Sequence, residues 1–120
     1  MTPAALRRLA AQKMADAGRL KTDADRLRTQ AARIDGLLDP LVTISASVWQ
    51  GPAAEDFEQC TRTRSQQLGD EAHRLRRIAG EWDDRATTLR REAASLGSQA
   101  DAAEAAAVFP PASVPRGAMQ

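Results

Sequence analysis

Val48-Trp49-Gln50-Gly51-Pro52-Ala53-Ala54-Glu55-Asp56-Phe57-Glu58 is the stretch where a chain otherwise patterned for helix changes direction. Gly51 relieves the steric limits of a tight turn, and Pro52 is preset for the first turn of a helix, where its missing N–H leaves nothing unpaired. Glu55, Asp56 and Glu58 then set negative charge against the positive end of that helix. The pattern predicts a turn over 49–52 and a second helix over about 53–96.

Upstream, a seam runs Leu6, Ala10, Lys13, Ala17, Leu20, Ala24, Leu27, Ala31, Ile34, Leu38, Leu41, Ser45, Val48, with steps that alternate four and three. That alternation keeps one face of a helix toward a neighbour. Thr2 can cap this helix and Pro3 suits its first position, giving a first helix over about 3–48. Lys13 breaks the seam, but its aliphatic stem can lie along apolar surface with the ammonium in water. Pro40 removes a donor and crowds the carbonyl of Gly36, which predicts a kink near 36–40.

Downstream, the seam begins with Phe57, Cys60, Arg64 and Leu68 and continues as Ala72, Leu75, Ala79, Trp82, Ala86, Leu89, Ala93 and Leu96. Gly97 can serve as an end cap, though the alanine-rich stretch 100–107 could carry the helix further, and the Ala- and Pro-rich residues 98–120 read as a flexible tail. Pairs such as Glu58 with Arg62, Asp70 with Arg74 and Glu81 with Arg85 would support the outer surface. Two helices of nearly equal length joined by about four residues fold back on each other. The expected fold is all-α: an antiparallel two-helix hairpin over 1–97. Leu9, Leu37, Val42, Ile44 and Ile78 widen the apolar face beyond what two helices can cover, so a second hairpin is expected to complete a four-helix bundle.

Composition agrees. Of 120 residues, 25 are alanine, with two Trp, two Phe and no Tyr, too few large side chains for a rounded core but well suited to closely spaced helices. With 17 basic and 16 acidic side chains, the chain lacks the excess of a dedicated nucleic-acid binder. The Arg74-Arg76-Arg77 and Arg90-Arg91 groups alternate with Asp70, Glu71, Glu81, Asp83, Asp84 and Glu92, the pattern of a solvated charged face. One histidine, His73, is too few for a His-based metal site or a serine triad. Cys60 reads as a small seam residue, and Asp83-Asp84 diverge on a helix by about 100°. No enzyme, cofactor or metal is expected. No segment reads as a secretory signal or a membrane span.

The Trp49-x-Gly51 turn of a roughly hundred-residue helical hairpin, followed by Pro52-Ala53-Ala54 and Phe57, resembles the WXG family of small type VII secretion substrates. The resemblance covers about residues 6–96. It implies four-helix bundles formed as homodimers or heterodimers, and export in the folded state by a membrane-embedded apparatus without a cleaved signal. It also implies that Trp49 closes the end of the bundle, with Gly51 and Pro52 completing the turn motif. The partner interface would use Leu20, Leu27, Ile34, Leu38, Leu41, Phe57, Leu68, Leu75, Trp82 and Leu89. The partners would be another hairpin (self or a paralogue), a larger secreted protein and the secretion machinery. One departure matters. Exporting members carry a Tyr near the end of helix two with an acidic residue four positions on, whereas here Trp82 is followed at that distance by Ala86, and Phe109 by Ser113. A partner would then supply the export signal; the other expectation is a cytosolic adaptor or chaperone of the same fold.

Overall fold

The computed structural model describes residues 1–47 and 51–108, with side chains described for all of these except 39 and 41–47. It is all-helical, with α1 over Pro3–Ser47 and α2 over Pro52–Val108, an antiparallel two-helix hairpin. The expected turn residue Trp49 lies outside the described residues, as does Val48 of the seam.

Both helix starts follow local chemistry. The Ala5 N–H donates to Oγ1 of Thr2 at 3.1 Å, and the Leu6 N–H donates to the Thr2 carbonyl at 3.0 Å. Thr2 thus satisfies two donors that the first turn would otherwise leave unpaired. Gly51 sits at φ 108°, a left-handed conformation that a Cβ disfavours, and its carbonyl accepts the Glu55 N–H at 3.1 Å. The glycine makes the entry to α2 possible, and Pro52 fixes the first helical φ.

Helix α1 passes through Pro40 without interruption, so the expected perturbation near 36–40 does not divide the element. Helix α2 runs well past the expected stop at Gly97. Residues 98–108, read from sequence as part of the tail, are helical: Ala100 is fully covered, and Arg7 of α1 holds Asp101 at 3.0 Å and also Glu104. A glycine costs a helix about 1 kcal/mol, less than alanine-rich sequence with a packed face returns.

The chain divides into two compact units. The first joins Met1–Leu20 with Asp84–Gln120, and the second is Lys21–Asp83. In the first, Arg7 pairs with Asp101 and Lys13 with Glu92, so partner numbers fall as α1 advances. In the second, Arg28 pairs with Asp83 and Asp35 with Arg76. Each unit is therefore an antiparallel helix pair.

Alanine fills the seam. Ala17, Ala24, Ala31, Ala72, Ala79 and Ala100 are fully covered, and Ala86 and Ala93 nearly so. Among the described residues the best-covered large side chains are Leu89 and Leu6, at 6% and 8% exposed. Leu20 packs on the Ala17, Ala86 and Leu89 cluster while staying half-buried.

The beginning of the α2 seam differs from the sequence reading. Phe57, Cys60 and Arg64 are exposed, whereas Ala54 and Thr61 are buried and Ser65 and Leu68 half-buried. The inward row is the same heptad continued backward from Leu68 through Ser65, Thr61 and Ala54. Phase overrides side-chain size here: a helix cannot rotate Phe57 inward without turning the covered Ala72 and Ala79 outward.

Candidate interaction surface

Successive helical residues are turned by about 100°, so positions around the seam can be assigned to flanks. Within the second unit, Lys21, Arg28 and Asp35 each follow a large seam residue (Leu20, Leu27, Ile34) by one position. Arg76 and Asp83 follow Leu75 and Trp82 in the same way. These five residues make the cross-helix ion pairs of the unit: Arg28 with Asp83, Lys21 with Asp83 at 3.8 Å, and Arg76 with Asp35. They share one flank. The covered alanines lie about 40° round from the leucines toward it, so the helices touch along alanine under a lid of ion pairs.

The large side chains are tipped toward the opposite flank. Leu27, Ile34, Leu68, Leu75 and Trp82 are all half-buried, and so is Leu38, which continues the alanine row seven positions after Ala31. Leu37 and Ile78, three positions after Ile34 and Leu75 and hence about 60° the other way, extend the same surface; Leu37 is 58% exposed. The second unit thus has one polar, paired flank and one continuous apolar face.

The first unit carries ion pairs on both sides. Arg7 with Asp101 and Glu104 occupies the flank one position after Leu6, and Lys13 donates to Glu92 at 2.8 Å on the other, three positions after Leu89. The Lys13 ammonium holds the Glu92 carboxyl below its ordinary value, chiefly through that hydrogen bond. The Arg7 guanidinium does the same to Glu104, and its hydrogen bonds to Glu104 and Asp101 raise Arg7 in return. Arg28 is raised chiefly by the hydrogen bond it donates to Asp83 across the second unit. All these groups are solvent-accessible, so the pairs set register more than they stabilise.

Of the residues expected at a partner interface, Leu27, Ile34, Leu68, Leu75 and Trp82 come together on the apolar face of the second unit, while Leu38 continues the inward alanine row. Leu20 and Leu89 belong to the first unit, Leu89 buried and Leu20 half-buried. Phe57 is 42% exposed. Pro52 is exposed at the start of α2 and Gly51 precedes it in its left-handed conformation, while Leu41 lies among the side chains outside the description. The sequence reading overlooked the ion-paired flank. Its signal was present: charged residues at seven-residue spacing on both helices, Lys21, Arg28, Asp35 and Arg76, Asp83.

The residues considered for chemistry are dispersed. His73 and Cys60 are exposed, and Asp83 is engaged by Arg28 and Lys21. Among the described residues no group of three or more potential ligands converges as a metal site would require, and no helix is long and apolar enough to cross a membrane. Arg74 reaches Glu71 at 3.7 Å rather than the expected Asp70. The arrangement is that of a helical hairpin whose second unit carries a half-exposed apolar face. The chain matches no family model, no curated protein and no solved structure.

Proposed function

We propose that this protein is a non-enzymatic component of a type VII secretion system, an exported substrate or co-secreted partner that works by pairing with another helical hairpin in a four-helix bundle. One observation carries the reading: the large seam side chains of the second unit stay half-exposed on one face while alanine fills the interior. A face of leucine, isoleucine and tryptophan left partly in water is the mark of a partner surface. The Trp49-x-Gly51 motif supports the family assignment, and the left-handed Gly51 ahead of Pro52 supports the role given to that glycine.

The sequence lacks the Tyr-based export signal, so the reading assigns the signal to the partner. Tagged protein is followed in cytosol and culture medium of the native cell, with the secretion apparatus intact or inactivated. The expected result is protein in the medium that disappears when the apparatus, or the end of the partner's second helix, is removed. Protein in the medium that is indifferent to both would overturn the proposal. The missing Tyr favours a second reading, a cytosolic adaptor of the same fold; it predicts a partner-bound protein confined to the cytosol in every arm.

A further inference from the structure

Past Gly97, helix α2 is held to α1 by very little. Within residues 98–108, Ala100 is fully covered and Ala103 half-buried, while the others are exposed, Val108 at 69%. The stretch before it is held better: residues 84–96 bury Ala86, Leu89 and Ala93 and half-bury Leu96. Alanine-rich sequence lets 98–108 form helix readily, but its packed surface amounts to two methyl groups.

Charge works against this end. The last turn of α2 exposes carbonyls at the negative pole of the helix and has no basic side chain to meet them. Asp101 and Glu104 instead stand within two turns of Val108, where carboxylates are disfavoured. A cation from the other helix answers both: Arg7 donates to Asp101 at 3.0 Å and to Glu104. Leu6, next to Arg7, is only 8% exposed, and Ala100 and Ala103 are inward positions of α2 around the turn that Arg7 grips. Gly97 marks the boundary, because a glycine inside a helix gains more freedom on unwinding than an alanine would.

We propose that residues 98–108 form a strap, a helical segment that unwinds and rewinds from Gly97 while the rest of the first unit stays folded, with Arg7 as its latch. Unwinding a helix from its end needs no new nucleus, so it proceeds far more easily than global unfolding. Opening parts Asp101 and Glu104 from Arg7 and uncovers Leu6 near the start of α1. The strap belongs to the first unit alone and works whether or not the second unit is paired.

Residue-by-residue amide exchange on the full chain at neutral pH tests this. Amides of 101–107 are expected to exchange at least about tenfold faster than those of 86–93. Arg7→Ala is expected to speed 101–107 about fivefold and leave 86–93 unchanged, and Gly97→Ala to slow 101–107 about fivefold. In a chain carrying Asp101→Asn and Glu104→Gln, adding Arg7→Ala is expected to change nothing further. Leu6→Cys, combined with Cys60→Ser, is expected to react with a maleimide faster once Arg7→Ala is added. Equal protection of 101–107 and 86–93 in the unaltered chain would overturn the strap. So would an Arg7→Ala variant in which both stretches speed up alike, since Arg7 would then support the whole unit. A Gly97→Ala variant with unchanged rates would overturn the hinge. An Arg7→Ala effect that persists without the carboxylates would overturn the latch, and a position-6 thiol indifferent to Arg7→Ala would overturn the uncovering of Leu6.

Discussion

The two units use one heptad pattern to opposite ends. In the first, a cationic side chain closes each flank: Arg7 with Asp101 and Glu104 on one side, Lys13 with Glu92 on the other, and Leu6 and Leu89 are buried between. In the second, the ion pairs gather on the alanine side, and Leu37 and Ile78 occupy positions on the far side where charge would have closed the surface. Alanine is the contact residue in both. One such difference lies three positions after a seam residue, where Glu92 follows Leu89 in the first unit while Leu37 follows Ile34 and Ile78 follows Leu75 in the second. A few flank residues thus decide whether a helix pair is finished or left open.

The sharpest way to break this contrast is a pair of equivalent truncations. Leu89→Ala removes a buried side chain and is expected to lower stability by about 2–3 kcal/mol, whereas Ile34→Ala, on the half-exposed face, is expected to cost about 1 kcal/mol in the dilute single chain. Thermal and urea unfolding of both variants at low concentration measure the difference. Equal losses would mean the two units are covered alike.

A smaller effect is expected at the entry to α2. Gly51→Ala forces a Cβ into a left-handed conformation at a cost of about 1–2 kcal/mol. The penalty should be confined to the second unit, seen as faster amide exchange in residues 52–61 with residues 6–13 unchanged.

The least effect, and the one that separates the units by pH, comes from the carboxylates of the first. Glu92 and Glu104 are held below the ordinary glutamate value by Lys13 and Arg7. Their contribution is therefore present above the unfolded carboxylate value and lost as pH falls through the lower folded one. Amide protection around residues 7–13 and 92–104 should decline in acid, below about pH 4, and recover on neutralisation. Protection unchanged down to pH 2 would show that the pairs carry no folding free energy.

Much of the fold was legible because phase is a strong signal over long helices. Ala17, Ala24 and Ala31 against Ala72, Ala79 and Ala86 follow directly from alternating steps of three and four, and the Gly51-Pro52 break from local stereochemistry. Reading failed where a bulky residue drew attention off phase. Phe57, Cys60 and Arg64 looked like the start of the α2 seam, while the true row held the less conspicuous Ala54, Thr61 and Ser65. At Gly97 the sequence left a cap and a longer helix through 100–107 both open, and the local helix penalty was outweighed by Ala100 packing and by Arg7, a residue far away in sequence. The charged flank required knowing which residue of α1 lies level with which of α2, a tertiary quantity. The five interface residues on the second unit's face were legible as apolar seam, but not the side to which they tip.

An interior made of methyl groups has a thermodynamic consequence. Unfolding such a chain wets little apolar area that was not already wet, so its heat-capacity increment falls below the usual ~12–15 cal/mol/K per residue. The stability curve flattens, the melt broadens, and urea acts with a shallow slope. Such a chain, measured alone, unfolds with low cooperativity.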